Sequence, residues 1–367
     1  MQAIAIVPEH KGAFLTQREE PQIQDPHEVK LKILQVGICG TDREEVEGGR
    51  ADPPPGSKEL VIGHENFGQV VAVGDAVTAV QPGDYAMFTV RRDCTVCICG
   101  SHNDMCPKGE YTERGIKGRD GYQVEYAVDL ERYVIKIPAA IRHLGVLAEP
   151  MSVSEKAINE AVNIQCARLP VVDKTGWLKG KKTLVAGLGP IGLLAAFILR
   201  LRGASVLGLD IVDASSLRPS LLQAIGGTYI DGRTIKTTDI DDAYGQIDLI
   251  FEATGVPVLE FNLIDALGIN GIYVLTGIPA GKRPIDIVGG PLVQQMVLKN
   301  QVMLGSVNAS VNDFKTGIAE LQQAHEQYPD AIGQVVTHKI PIDRFDDAFD
   351  KHNADAIKTV IEWEKFS

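Results

Sequence analysis

The stretch Thr183-Leu184-Val185-Ala186-Gly187-Leu188-Gly189-Pro190-Ile191-Gly192-Leu193-Leu194 decides how this chain is read. The apolar run Leu184 to Ala186 has strand character. Gly187-x-Gly189-x-x-Gly192 follows at once, and an apolar helix then continues to about Gly203. Strand, glycine turn and helix in that order form the dinucleotide-binding fingerprint. The first glycine permits the tight turn, the second lets backbone approach a pyrophosphate, and the third lets the helix pack on the strand. Phosphates would sit at the helix N-terminus, where unpaired N–H groups and the helix dipole favour negative charge. Pro190 suits the first helical position, since the N–H it lacks would have no intrahelical partner there; Ile191 follows it in the turn. A second strand, Ser205 to Leu209, ends in Asp210, where the fingerprint places an acidic group against the adenosine ribose.

Outward from this turn, strands alternate with helices. The spacing predicts strands over 183–186, 205–209, 228–230, 248–252, 272–276 and 302–306, hence a doubly wound parallel sheet. Such a sheet binds its ligand at the carboxyl ends of its strands. Thr254, Thr276, Gly277, Ile278, Ser306, Val307 and Asn308 lie at those ends, although each position also suits a plain strand-to-helix turn. Residues before about 150 read as mostly β, with strands at 1–7 and 29–36 and a pair 70–73 and 77–80 suggesting a small barrel. Helix is expected from Ile141, an irregular stretch over 163–180, a helix over 311–323 and a short strand pair near 334–340 and 359–363.

A chain of 367 residues with 44% hydrophobic and 23% charged residues suits two globular domains. The net charge of −12, with no basic cluster, disfavours nucleic acid. No run approaches the roughly 18 apolar residues that span a bilayer, and the alternating start 1–7 lacks the features of a signal peptide. A cytoplasmic protein is expected.

Two constellations suggest metal. Cys39, in Gly37-Ile38-Cys39-Gly40-Thr41-Asp42, and His64-Glu65, after Gly63, offer thiolate, imidazole and carboxylate; Glu149, in Ala148-Glu149-Pro150, adds another carboxylate. A catalytic zinc needs three or four such ligands with one exchangeable position. Separately, Cys94, Cys97, Cys99 and Cys106 crowd one segment. Without a secretory signal such a cluster points to metal, and four thiolates form a closed structural zinc site.

These pieces, with Arg91-Arg92-x-Cys94, Glu110 to Ile116 and Gly305-Ser306-Val307-Asn308, resemble the zinc-dependent medium-chain dehydrogenases, and among them the archaeal-type glucose (aldose) 1-dehydrogenases. The resemblance runs along essentially the whole chain. It implies a GroES-like β-barrel catalytic domain over 1–154, a Rossmann nucleotide-binding domain over 155–308 and a segment 309–367 returning to the catalytic domain. It implies that Cys39, His64, Glu65 and Glu149 form the catalytic zinc site, Glu149 directly or through water. Thr41 would lie beside the zinc-bound oxygen, and Glu113 and Asn308 would hold sugar hydroxyls. The expected reaction is oxidation of an aldose, D-glucose before D-galactose, at C1 to the lactone, with hydride passing to NAD or NADP; the assembly would be a homodimer or homotetramer. A polyol or secondary-alcohol dehydrogenase is the alternative, and an inert nucleotide-binding redox sensor is the alternative of another class.

The chain departs from the family at several positions. Only Ile98 separates Cys97 from Cys99, which puts Cys99 in doubt as third ligand and leaves His102 as its alternative. Leu298 stands where some relatives place a sugar-contacting histidine, and Glu44 where alcohol-acting relatives carry a relay histidine. The turn after Asp210 has no Arg or Lys before Arg218. A carboxylate there accepts bonds from ribose hydroxyls and repels a 2′-phosphate, so NAD is expected ahead of NADP unless a distant cation such as Lys358 folds back.

Overall fold

The computed structural model describes residues 1–94, 104–170, 176–279, 284–350 and 355–364. It divides into two compact units. One comprises Met1–Ser152, Asn308–Gln322 and Val336–Ser367; the other comprises Val153–Val307 and Gln323–Val335.

The first unit is built on a seven-stranded sheet centred on Glu28–Ile38, an 11-residue strand. Its residues are buried along almost the whole length, as a central strand packed on both faces requires. Along one edge it pairs antiparallel with Glu65–Val73, placing Gly37 opposite Glu65. Along the other edge it pairs with Tyr126–Leu130 and, further on, with the C-terminal strand Lys358–Glu362, where Thr359 faces Ile38. This register brings the strand Lys358–Glu362 beside the Cys39 turn. Val29, Leu31, Ile33, Val36, Val70, Phe88 and Tyr122 belong to the core beneath it.

The expected strand over 77–80 does not form. That segment is a loop, and the Glu131 carboxylate accepts the N–H groups of Thr78 and Ala79 at 2.5 Å each. The run Val77-Thr78-Ala79-Val80 imitates a strand in composition, but here side-chain capping replaces the ladder. The expected irregular stretch begins later than its polar residues suggest, because the helix Ala148–Arg168 runs on through Asn163. Its last turn is held from outside, with Gln165 Nε2 and Arg168 Nη2 donating to the Asn270 carbonyl at 2.7 and 3.0 Å.

The second unit carries a six-stranded parallel sheet. From edge to edge its strands run Thr228–Asp231, Ser205–Asp210, Lys182–Ala186, Ile247–Glu252, Leu267–Leu275 and Val302–Gly305. The order reverses at Lys182–Ala186, the first of them in sequence, which places the glycine turn at the switch point where such sheets bind ligands. No helix among the described residues is long and apolar enough to cross a membrane.

Candidate active site

Cys39 follows the central strand of the first unit and caps the helix Gly40–Val46; its N–H donates to Asp42 Oδ2 at 2.7 Å. His64 follows Gly63, whose φ of 90° lies in the left-handed region that glycine enters without strain. Ligand atoms of Cys39, His64 and Glu65 lie within 4.8 Å of one another. Glu65 fits only because Gly37 stands opposite, since a Cβ there would lie 2.0 Å from Glu65 Oε2. Thr41 is half-buried, with its Oγ1 4.0 Å from Cys39 Sγ. Glu149 is buried but is not part of the Cys39–His64–Glu65 trio.

The electrostatics of this pocket are strongly acidic. Burial pushes the Glu149 carboxyl up to about 7; His64 opposes the shift and Glu65 adds to it. Burial disfavours a charged His64, yet the carboxylate of Asp42, 3.6 Å away, and the thiol of Cys39 carry it well above the ordinary histidine range. Glu45, fully buried on the same helix, is pushed up to about 9 by burial and by Asp42. Against these groups stands Lys358, whose ammonium donates to both oxygens of Glu65 at 2.6 Å. Lys358 is 2% exposed. It is therefore no cation for a distant phosphate, because it is spent on Glu65 and on the Ile38 carbonyl.

A second polar site in the same unit joins Glu113 and Asn308. Asn308 Nδ2 donates to Glu113 Oε1 at 2.7 Å, across 195 residues of sequence. Asn308 has a φ of 61°, a conformation asparagine tolerates better than most residues. Its Oδ1 is fixed by the Ala309 N–H at 2.8 Å.

In the second unit Gly187 adopts a φ of 88°, and a Cβ on Gly192 would lie 1.8 Å from the Gly187 carbonyl. A Cβ on Gly189 would meet nothing within 4 Å, so the middle glycine faces open space. Pro190 begins the helix Pro190–Leu201, and Ile191 follows it. A cavity of about 400 Å³ opens here, lined by Gly187, Gly189, Asp210, Ile211, Arg218 and Thr254 among others. Asp210 is held by the N–H groups of Leu188 and Ile211 at 2.8 and 2.7 Å, and Arg218 Nη1 lies 3.7 Å from its carboxylate. Arg218 thus shares the Asp210 cavity despite its distance in sequence.

The other strand-end residues are organised by Glu252. Its Oε1 accepts the N–H and hydroxyl of Thr254, both at 2.5 Å, and its carbonyl accepts the Thr276 hydroxyl at 2.6 Å. Gly277 passes so close that a Cβ there would lie 2.2 Å from the Gly255 nitrogen. Ile278 and Val307 are exposed, while the Ser306 hydroxyl donates to Glu160 at 2.5 Å.

Of the cysteine segment, Cys94 is buried and Cys106 half-buried. Cys97, Cys99 and His102 lie outside the described residues.

The profile described as "Alcohol dehydrogenase GroES-like domain" matches residues 25–139, and that described as "Glucose dehydrogenase C-terminus" matches residues 142–363. The glucose 1-dehydrogenase of Thermoproteus tenax is 36% identical over 368 residues, covering 99% of each chain. The chain belongs to the zinc-dependent medium-chain glucose dehydrogenase family. The glucose 1-dehydrogenase 2 of Vulcanisaeta moutnovskia is 34% identical, again over 99% of each chain. Among solved structures, Haloferax mediterranei glucose dehydrogenase in complex with NADP, Zn and gluconolactone superposes with a TM-score of 0.88 at 32% identity, covering all of both chains.

The residues of this glucose dehydrogenase family member fit a divalent cation. Its thiol and carboxyl groups outnumber the one ammonium and one imidazole among them. Among the described residues Asp42 Oδ1, His64 Nδ1 and both oxygens of Glu45 have no hydrogen-bond partner, and buried polar atoms left so are costly. The open face at Gly189 likewise fits a dinucleotide. The partners of Lys358, Glu252 and Arg218 escape sequence reasoning, which weighs Lys358 and Arg218 only as cations for a phosphate. Asp42 stands in a quoted motif and Glu252 at the end of a predicted strand, both without an assigned role, and no local signal pairs Lys358 with Glu65.

Proposed function

We propose that this chain oxidises an aldose at C1 to the lactone, D-glucose ahead of D-galactose, with hydride passing to a nicotinamide dinucleotide. The observation that carries this reading is the Glu113–Asn308 contact, which joins two sugar-assigned residues in the unit that also gathers Cys39, His64 and Glu65. The named relatives act as its support. Cys39, His64 and Glu65 would hold the catalytic zinc, with Glu149 bound directly or through water. When bound, zinc supplies Lewis acidity that eases loss of a hydroxyl proton, and the nicotinamide supplies the hydride acceptor.

The chain's own residues do the rest. Glu113 and Asn308 bind and orient the sugar. The Thr41 hydroxyl, beside Cys39, passes the anomeric proton outward. Gly187, Gly189, Pro190, Ile191 and Gly192 cradle the pyrophosphate on backbone N–H groups. Asp210 holds the adenosine ribose, and Thr254, Thr276, Gly277, Ile278, Ser306, Val307 and Asn308 line the nicotinamide side. Cys94, Cys97, Cys99 and Cys106 would hold a structural zinc. We place the protein in the cytoplasm as a homodimer or homotetramer; the outer edge of Val302–Gly305, unpaired among the described residues, and the exposed Val293 and Val297 favour self-association.

One experiment tests the core of this reading: zinc content, with a spectrophotometric screen of aldoses, polyols and secondary alcohols against both coenzymes. Two zinc ions per chain and turnover of glucose above polyols are expected. One zinc would remove the structural site, and preferential oxidation of polyols or alcohols would replace the aldose reading.

For the coenzyme, we propose NAD ahead of NADP, with Arg218 keeping NADP competent. Two like charges about 4 Å apart at an effective dielectric near 20 repel by roughly 4 kcal/mol, which Arg218 partly offsets. Asp210→Asn should shift the kcat/KM ratio toward NADP by about tenfold or more. Arg218→Gln should lower kcat/KM for NADP by roughly 10–100-fold, the worth of a charge-assisted bond of about 1.5–3 kcal/mol, and leave NAD nearly unchanged. A ratio untouched by both substitutions would show that neither group sets the choice.

A further inference from the structure

The side chain that presents Glu113 is Arg91. The two residues sit directly opposite each other where the strand Arg91–Arg92 pairs antiparallel with Thr112–Arg114, and residues so placed interact across the ladder. Arg91 Nε and Nη2 both donate to Glu113 Oε1, at 3.1 and 2.9 Å. Asn308 Nδ2 donates to the same oxygen at 2.7 Å. Three donors therefore converge on Oε1, and Oε2 receives none of them.

This differs from the fork-to-fork arrangement in which an arginine occupies both carboxylate oxygens. Here the guanidinium grips one oxygen and leaves the other as an acceptor. The guanidinium is itself held rigid. Its Cζ lies 3.7 Å from the centre of the Tyr111 ring, and its Nη1 donates to the Asp104 carbonyl. Arg91 is 4% exposed, so the pair is little screened by water. A lysine in its place would keep the charge but lose the planar fork and the stacking that set the carboxylate's angle.

We propose that Arg91 is a positioning residue for sugar recognition: it locks Glu113 through Oε1 and turns Oε2 toward a substrate hydroxyl. The proposal rests on the reading of Glu113 as a sugar-binding residue. It gives Arg91 no contact with substrate and no part in the redox step. Because Nη1 also holds Asp104, two residues before Cys106, the same arginine ties the sugar-reading carboxylate to the end of the cysteine segment.

The test compares Glu113→Gln, Arg91→Lys and Arg91→Gln in the full-length, zinc-loaded enzyme, with glucose and its monodeoxy analogues as substrates. Wild type is expected to lose efficiency sharply on one deoxyglucose, the one lacking the hydroxyl that Glu113 reads. In Arg91→Lys and Arg91→Gln, KM for glucose should rise about tenfold or more, as a misdirected hydrogen bond to a charged group requires, with kcat, zinc content and NAD affinity close to wild type. The penalty for that one deoxyglucose should shrink in both Arg91 variants and in Glu113→Gln, because the contact is already lost. Unchanged glucose kinetics in Glu113→Gln would refute the reading of Glu113. An impaired Glu113→Gln beside Arg91 variants with wild-type KM and a full deoxy-sugar penalty would overturn the positioning role alone. Loss of folded protein in both Arg91 variants would assign the residue to the fold and overturn it as well.

Discussion

Cys39→Ala or His64→Ala should abolish sugar oxidation while NAD still binds. Each substitution deletes one of three ligand atoms gathered within 4.8 Å, leaving two of that trio, with Glu149 outside it, for a metal that needs three or four. The Lewis acidity lost is worth several kcal/mol in the transition state, or about three decades in rate at roughly 1.4 kcal/mol per decade. The glycine turn, Asp210 and Arg218 belong to the other compact unit, so NAD titrated by calorimetry should give a wild-type Kd. His64→Ala carries a further consequence. It removes the imidazole from the metal-capable trio and also leaves Asp42 without its neighbour 3.6 Å away, so added zinc should not restore the rate. A zinc-depleted variant turning over glucose at the wild-type rate would sink the mechanism.

The largest expected effect on stability belongs to Asp129→Asn. Asp129 Oδ2 accepts from Arg92 Nε and Nη2 at 3.1 and 2.9 Å and from Arg114 Nε and Nη2 at 3.1 and 2.5 Å. The carboxylate side chain is 6% exposed, Arg92 4% and Arg114 14%. The amide would leave two guanidinium groups buried without their shared anion, which costs about 3–5 kcal/mol. At roughly 2–4 °C per kcal/mol for a domain of this size, the melting temperature should fall by about 10 °C. Burial opposes the charge of Asp129, but Arg92 and Arg114 outweigh it and hold the carboxyl well below the usual carboxylate range. Folded-state depression means the stabilisation is complete above the unfolded-chain value of about 3.9 and is lost as pH falls through the lower folded value. The deficit of the variant should therefore be constant from pH 5 to 8 and shrink only in strong acid. Equal melting temperatures at pH 7 would show the triad to be without consequence.

What the sequence by itself determined is what local physics can encode. The alternation of short apolar runs with helical stretches specified six parallel strands, and the Gly187–Gly192 spacing specified the turn at their switch point. Glycines beside Cys39 and His64 marked the backbone turns from which these side chains meet Glu65. Local patterns misled where side chains from elsewhere took over backbone bonds. Glu131 captured the N–H groups of 78 and 79 and removed a strand, and the Asn270 carbonyl held the last turn of a helix whose polar residues read as loop. The tertiary structure alone decided which charges meet. Lys358 reaches Glu65 across 293 residues because both flank the central strand in one register, and Arg218 faces Asp210 because a helix follows the turn after the strand. Arg91 and Glu113 meet because two short strands pair. A cation's partner is set by sheet register and helix docking, which depend on the packing of the whole chain and leave no mark on the residues beside it.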